Sequence, residues 1–271
     1  FDPRGVGTNA PAATPGAPTD AEVAAFLSFA PEEVDSYEIG YKGNIGILNI
    51  AAAAFYADYT DVQIPGSVAC EVGGLPSFCG VVSNAGKATF KGVELEANAR
   101  FGGGFGLAGS LGYIDAQYDE YITNIGNTPT DVAAFRVVQN TPELTGSITA
   151  SYDTPVGAGD LYLGTTLSYR SKTSQFEIPN PYLDQGGYAL LDASVVYSAP
   201  DDRWSVGLYG KNLLDKEYKT SGYTFVATDP VTGDIVNGAN GFPVPTLGPE
   251  GTLTAFYGNP RQVFATVTFS Y

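Results

Sequence analysis

The chain alternates hydrophobic and polar residues in short runs along most of its length. A period of two is typical of β-strands whose two faces meet different surroundings. Between the runs lie stretches rich in Gly, Pro, Asn and Asp, which are typical of turns and loops. The pattern predicts an all-β, antiparallel fold with nine strands, at about 33–42, 45–62, 93–101, 105–113, 143–152, 161–169, 189–197, 204–208 and 261–271.

The last strand shows the alternation most clearly. Its apolar face carries five residues: Val263, Ala265, Val267, Phe269 and Tyr271. The opposite face is polar except for Phe264. About ten residues is the length that a tilted strand needs to cross a hydrocarbon layer. A terminal aromatic residue preceded by apolar residues at alternate positions resembles the C-terminal signal that the barrel-assembly machinery reads in bacterial outer-membrane proteins.

The connections between the predicted strands alternate between four tight turns and long loops. Membrane barrels have short turns at one end and long loops at the other, whereas sandwiches mix the two lengths. Alternation alone does not say which face is the core, because a soluble barrel has the same period. Aromatic residues near the ends of the apolar faces favour a membrane barrel, since they match an interfacial girdle. These residues are Tyr37, Tyr41, Phe101, Phe105, Tyr113, Tyr169, Tyr197 and Trp204.

Composition removes several classes of function. The net charge of −16 and the scattered 13 Lys and Arg residues argue against nucleic-acid binding. The longest apolar run, 50–57, is far too short for a transmembrane helix. With no His in the chain, a Ser-His-Asp site and His ligation of zinc or haem are impossible within it. We therefore expect no enzyme activity and no cofactor. The turn-like acidic segment 229–234 is interpreted as turn chemistry rather than a metal site.

Two cysteines, Cys70 and Cys79, lie in one predicted loop. Their spacing is too wide for a CxxC redox motif, and no His accompanies them to form a zinc site. A disulfide in an oxidising compartment is preferred over two free thiols.

Four short motifs resemble those of TonB-dependent outer-membrane receptors. The stretch KNLLDKEY at 211–218 is similar to the family's "NLfdxxY" segment, matched here by Asn212, Leu213, Leu214, Asp215 and Tyr218. The stretches SYEIGYK at 36–42 and KGVELEA at 91–97 resemble recurring strands of the family, and YGNPR at 257–261 resembles its usual lead into the closing strand. Each motif is short, but their order along the chain matches the family as well.

The resemblance implies a barrel of roughly 22 strands with a plug inside it. This chain would supply the C-terminal portion of about nine strands, and it contains neither a plug domain nor a TonB box. We expect residues 1–32 to be an extracellular loop segment, with a short helix across 20–29, and residues 33–271 to be the C-terminal strands of the barrel.

The function implied is a receptor or transporter in the bacterial outer membrane that takes up a scarce, bulky solute, such as a ferric siderophore or an oligosaccharide-like nutrient. Its expected partners are outer-membrane lipid, the barrel-assembly machinery, a small-molecule ligand and, through the missing plug, the TonB complex. Two alternatives stay open: a passive porin-type or adhesin barrel, and a soluble β-sandwich binding module.

Candidate ligand contacts lie on the predicted lumen face and in the loops. Arg170, Lys172 and Lys211 are cations that would suit an anionic chelate, and Tyr223 and Phe225 are loop aromatics that would stack on a ligand ring. The competing interpretation of the aromatic residues is that they pack the loops together.

Overall fold

The computed structural model of the chain describes residues 29–72, 75–84, 86–125, 128–200, 203–246 and 253–270. The chain forms two compact units. One contains the described parts of 1–35, 57–89 and 118–133, and the other contains the described parts of 36–56, 90–117 and 134–271. The expected helix across 20–29 falls almost wholly outside the described residues, as does Tyr271. None of the helices in the described ranges is long and apolar enough to cross a membrane.

Nine strands follow one another in a single sheet, as the sequence predicted. Their order is β1-β2-β5-β6-β8-β9-β10-β11-β14, and a tenth strand, β7, pairs with β6. The nine strands are β1 (Glu33–Ile45), β2 (Leu48–Thr60), β5 (Gly86–Arg100), β6 (Phe105–Ile125), β8 (Leu144–Val156), β9 (Gly159–Arg170), β10 (Tyr188–Ser198), β11 (Trp204–Lys211) and β14 (Gln262–Phe269).

Antiparallel pairing aligns the apolar faces of neighbouring strands. Leu163 of β9 lies opposite Tyr152 of β8 and Val195 of β10, and Val195 in turn lies opposite Leu208 of β11. Directly opposed residues in an antiparallel ladder point to the same face, so one register puts every strand's apolar set on one side. The second unit therefore has one continuous apolar face across β6, β8–β11 and β14.

This apolar face is exposed. Val267 and Phe269 are 59% and 66% accessible, and Leu208 is 52% accessible. By contrast, the buried apolar residues of the described chain are few and mostly small, and Leu183 and Val132 are the largest that are fully buried. A continuous exposed face of this apolar character fits a surface covered by lipid.

The predicted aromatic girdle is exposed or half-buried at the strand ends. Tyr113, where the pairing of β6 with β8 ends, and Tyr169, near the end of β9, are 45% and 44% accessible. At the other end of the sheet, rings pair: the Phe101 and Phe105 centroids are 5.6 Å apart, and those of Tyr197 and Trp204 are 5.7 Å apart. Amphipathic rings in two such bands are typical of membrane interfaces.

The long connections contain regular structure where the sequence predicted loops. A hairpin of β3 (Gln63–Val72) and β4 (Leu75–Asn84) lies between β2 and β5, and β12 (Lys219–Thr224) pairs with β13 (Leu253–Tyr257) before β14. Strand β6 continues to Ile125 and pairs with β7 (Thr128–Asp131), although the sequence predicted a loop from residue 119. Beyond the lipid layer a strand needs no apolar face, so the backbone ladder continues where the alternation has stopped.

Candidate functional site

The polar face of the sheet carries hydroxyl and charged groups in cross-strand rows. Thr149 lies opposite Thr166, and Thr166 lies opposite Asp192. The two threonine Oγ1 atoms are 2.9 Å apart, and the Ser110 and Ser147 Oγ atoms are 2.8 Å apart. Hydroxyl ladders of this kind stabilise neighbouring strands while keeping the face polar.

A pocket opens on this polar face across β8 to β11. We call it the strand pocket, and its volume is about 380 Å³. Tyr209, one of its aromatic residues, stacks on Phe264 at 5.2 Å, which explains why the polar face of the last strand carries one aromatic residue. The pocket is lined by Thr149, Tyr162, Gly164, Thr165, Thr166, Asp192, Ala193, Ser194, Tyr209, Gly210 and Lys211.

A second pocket lies between the middle of β6 and the segments before β8 and after β9. We call it the loop pocket, and its volume is about 310 Å³. Four of its residues are aliphatic and the others carry hydroxyl or charged groups. They are Ile114, Asp115, Ala116, Val137, Val138, Thr141, Glu143, Ser171, Lys172 and Ser174.

All three predicted cationic contacts are already engaged with protein groups. Lys211 Nζ is 3.1 Å from Asp192 Oδ2, and Lys172 Nζ is 3.6 Å from Asp184 Oδ2. Arg170 Nη2 donates a 2.9 Å hydrogen bond to the backbone oxygen of Asn140. The structure therefore brings Lys211 and Lys172 to two pockets, but each arrives with its charge paired.

The connection between β9 and β10, residues 171–187, is a folded loop with a polar interior. Thr173 and Gln185 form an isolated β-bridge and are 5% and 8% accessible. Asn180, 4% accessible, accepts backbone hydrogen bonds from Tyr182 and Leu183 at its Oδ1. Because buried polar groups must be hydrogen-bonded, this network specifies one conformation of the loop.

Neighbouring segments hold this loop in place. Lys219, the first residue of β12, donates its Nζ to the backbone oxygens of Tyr182 at 2.7 Å and Asp184 at 2.9 Å. Its backbone N–H bonds Gln185 Oε1 at 2.7 Å. From the β7–β8 connection, the Arg136 guanidinium donates to the backbone oxygen of Val231 at 3.1 Å. The long connections of the second unit thus form one bonded cluster.

The predicted loop aromatics contact one another. Tyr223 and Phe225 stack with ring centroids 6.5 Å apart, and Phe256 of β13 meets Tyr223 edge-on at 5.8 Å. Tyr223 and Phe256 are nevertheless 57% and 47% accessible. The rings therefore pack together, as the competing interpretation held, while they still present an aromatic surface on the β12–β13 hairpin.

Two motifs that are separate in the sequence meet in one turn. Asn212, 5% accessible with φ 47°, donates its side-chain amide to the backbone oxygens of Lys216 at 2.9 Å and Asn259 at 3.0 Å. Asp215 accepts from both the backbone N–H and the guanidinium of Arg261, each at 3.0 Å. The KNLLDKEY and YGNPR segments therefore join the end of β11 to the start of β14.

The rest of the KNLLDKEY motif also has structural contacts. The Tyr218 ring stacks on Tyr188 at 4.7 Å, and a Cβ atom at Gly258 would come within 2.0 Å of Tyr218. Leu213 donates its backbone N–H to Leu191 of β10, while Leu214 is 58% accessible. These contacts anchor the turn, and none of them points to ligand chemistry.

The side chains of Cys70 and Cys79 lie outside the described part of the structure. Their backbones belong to the β3–β4 hairpin, in which Cys70 pairs with Ser77 and Cys79 with Val68. The disulfide stays a prediction.

The segment 229–234 forms a tight turn. The Asp229 carboxylate accepts backbone hydrogen bonds from Thr232 at 2.8 Å and Val231 at 2.9 Å. These bonds hold the pKa of Asp229 below its usual value. The carboxylate is used in turn geometry of the kind that the sequence indicated.

Sequence reasoning missed the carboxylates that pair with the cations. Asp192 lies in the predicted strand 189–197 and Asp184 in the connection before it, and the sequence singled out neither. Alternation places Asp192 on the polar face, and the strand register then brings it beside Lys211. For Asp184 the available signal was the Asn180-Pro181 dipeptide, a turn-former that folds the loop back.

Three features define this sheet as the wall of a transmembrane β-barrel. They are the exposed apolar face, the paired aromatic bands and the polar face that carries the pockets. Residues 5–213 match the family model described as "TonB dependent receptor-like, beta-barrel". The chain therefore belongs to that family, which places it in the bacterial outer membrane.

Individual relatives agree with this membership. The chain is 29% identical over 197 residues to the pesticin receptor of Yersinia pestis, a match that covers 72% of this chain and 26% of the relative. It is 28% identical over 197 residues to the ferrichrome outer membrane transporter/phage receptor of Escherichia coli K12, covering 69% of this chain and 20% of the relative. The match thus spans about a quarter of the first relative's length and a fifth of the second's.

Solved structures share the fold. The ferric yersiniabactin uptake receptor FyuA of Yersinia pestis superposes with a TM-score of 0.59 at 22% identity, covering 87% of this chain and 29% of that one. The siderophore receptor PiuA of Acinetobacter baumannii gives a TM-score of 0.58 at 18% identity, covering 89% of this chain and 29% of that one. The fold is thus a portion of a receptor barrel.

Proposed function

We propose that this chain is the ligand-facing wall of a TonB-energised receptor that imports a scarce, bulky solute through the outer membrane. The observation that supports the proposal most is the apolar face, which is exposed and in register from β6 to β14 behind a pocketed polar face. Such a wall needs lipid on one side and an aqueous, solute-accessible space on the other.

The long connections are the part of the wall that would first meet the solute. The bonded cluster around residues 171–187 holds its shape, and the Tyr223 and Phe256 rings offer an apolar surface that stacks on planar groups. A siderophore-like chelate or an oligosaccharide has both hydroxyl-rich and flat surfaces of this kind. The names of the relatives, a ferrichrome transporter among them, favour an iron chelate.

The partners follow from this function. Outer-membrane lipid covers the apolar face, the barrel-assembly machinery reads the last strand, and the TonB complex acts through a plug domain. We assign the chain no catalytic role, because the family to which it belongs consists of receptors and transporters.

Uptake by the full-length receptor tests the proposal. The cells should carry this receptor as their sole outer-membrane importer of the solute under test. They should accumulate radiolabelled iron from ferric chelates, or labelled oligosaccharide, only when TonB is present. A strain lacking TonB is the matched control. Unchanged uptake in that strain would instead indicate the passive porin-type alternative. No observation on the described residues favours that alternative.

A further inference from the structure

We propose that Asp192 and Asp184 determine the charge class of the imported solute: by neutralising Lys211 and Lys172, they make this wall accept neutral or cationic solutes and discriminate against anionic ones. The inference rests on the proposed function, and it assigns a specificity role to two carboxylates.

The strand pocket carries one ammonium group, and that group is paired. Lys211 Nζ lies 3.1 Å from Asp192 Oδ2, while Asp192 Oδ1 accepts the backbone N–H of Asn212 at 2.9 Å. The second bond fixes the carboxylate where it faces the lysine. Both side chains remain reachable, at 58% and 37% accessibility, so the pair lies at the pocket surface rather than in a core. An arriving anion would have to compete with a carboxylate that is already in place.

The loop pocket repeats this arrangement with different elements. Lys172 is 69% accessible, yet its Nζ is 3.6 Å from the carboxylate of Asp184, whose side chain is only 8% accessible. Ser174 Oγ and the backbone N–H of Asn180 also donate to that carboxylate, at 3.1 and 3.2 Å. These three donors hold the Asp184 carboxylate in position.

Other cations near these pockets donate to backbone carbonyls. Lys219 Nζ bonds the oxygens of Tyr182 and Asp184, and Arg170 Nη2 bonds that of Asn140. Neither residue lines the strand pocket or the loop pocket. Each of these cations thus has at least one protein acceptor in the structure.

The groups left to a solute are mostly acceptors and hydroxyls. In the loop pocket, Glu143 adds a carboxylate beside the paired Lys172, so the pocket has an excess of negative charge. In the strand pocket, the hydroxyls of Tyr162, Ser194 and Tyr209 surround a neutral ion pair. Hydroxyls and carboxylates serve a neutral, hydroxyl-rich solute or a cation, whereas a solute with net negative charge meets repulsion.

The test measures chelate binding to the full-length receptor, including its plug, in detergent. The two probes are a neutral ferric trihydroxamate and a trianionic ferric tricatecholate. The variants are Asp192→Asn and Asp184→Asn, which remove the charge but keep an oxygen that can accept the Asn212 or Asn180 bond. Asp160→Asn, at the exposed second residue of β9, removes an equal charge away from both pockets and is the control.

We expect the wild-type receptor to bind the neutral chelate more tightly than the tricatecholate. Each site variant should raise tricatecholate affinity by about tenfold, because it releases one ammonium group within a few ångströms of the solute. Affinity for the neutral chelate should stay within about twofold, which also reports that the variant is folded. Adding Lys211→Gln to Asp192→Asn should cancel the gain, and Asp160→Asn should produce none.

Three results would overturn the proposal: equal or tighter wild-type binding of the tricatecholate, no gain in either site variant, or an equal gain in Asp160→Asn. Binding of neither chelate by the wild type and all variants would overturn it too. TonB dependence of uptake is measured separately, so a receptor that fails the charge test but still needs TonB leaves the proposed function standing.

Discussion

The strand wall and the 171–187 loop use polar residues in opposite ways. On the wall, polar groups repeat on one face, and many are hydroxyls paired with identical hydroxyls across the ladder, as at Thr149 and Thr166. In the loop, Asn180 and Gln185 are nearly inaccessible and each has its own set of partners. A wall residue is specified by its face, whereas a loop residue is specified by its individual bonds.

This difference predicts different responses to mutation. Most wall positions should tolerate any residue that suits the face, because the ladder is made by backbone groups. A buried polar loop residue should tolerate little, because losing one partner leaves another unsatisfied. The four predictions below test that contrast.

Reversing the character of a wall face should have the largest effect. Leu163→Arg or Val195→Arg places a charge in lipid. Each should make the free energy of folding in the membrane less favourable by about 2–4 kcal/mol, depending on depth. Arg at Ser194, on the opposite face of β10, should cost far less. Heat-modifiable gel mobility of the full-length receptor measures insertion, and equal losses on both faces would contradict the assignment of the apolar face to lipid.

The predicted disulfide between Cys70 and Cys79 would add a covalent restraint to the β3–β4 hairpin. Closing a ring of about ten residues should stabilise the hairpin by about 2–3 kcal/mol, without deciding whether the barrel folds. Both thiols should resist a maleimide on intact, unreduced cells and react after reduction. Labelling before reduction would show that the thiols are free.

Truncating Asn180 should disturb the loop but leave the wall intact. Asn180→Ala removes the acceptor of two backbone N–H groups and should destabilise the loop locally by about 1–2 kcal/mol. Asn240→Ala is a matched control, because Asn240 accepts the Phe242 N–H in a similar turn but is exposed. Hydrogen exchange should accelerate across 171–187 in the first variant only. Equal acceleration in both would mean that burial does not matter here.

The ion pair in the turn before β14 should contribute least. Asp215 and Arg261 are each about half exposed, at 49% and 50%, so water screens their charges. Asp215→Asn keeps a residue that tolerates the positive φ, and it should cost under about 1 kcal/mol in denaturant unfolding. A loss well above that would show that the turn controls the stability of the last strand.

Much of the fold followed from local pattern. The nine strands, their alternating short and long connections and the outward apolar face were all predicted, because a period of two is visible within a few residues. The hairpins β3–β4 and β12–β13 were not, since outside the lipid layer no apolar face is required and the alternation is weak. Site prediction was less complete: Lys172 and Lys211, predicted as ligand contacts, line the two pockets, but the carboxylates that pair with them were not predicted.

The sequence by itself determined which face of each strand is apolar, that nine strands follow one another in the sheet and which family the motifs resemble. Only the tertiary structure decided that Lys172 faces Asp184, that Lys211 faces Asp192 and that Asp215 meets Arg261. Alternation is a local property of a strand, so it is readable from the chain. Lys211–Asp192 and Asp215–Arg261 join different segments of the chain, and Lys172–Asp184 joins the two ends of one loop. These contacts depend on sheet register and on how the loops fold back, which no local period encodes.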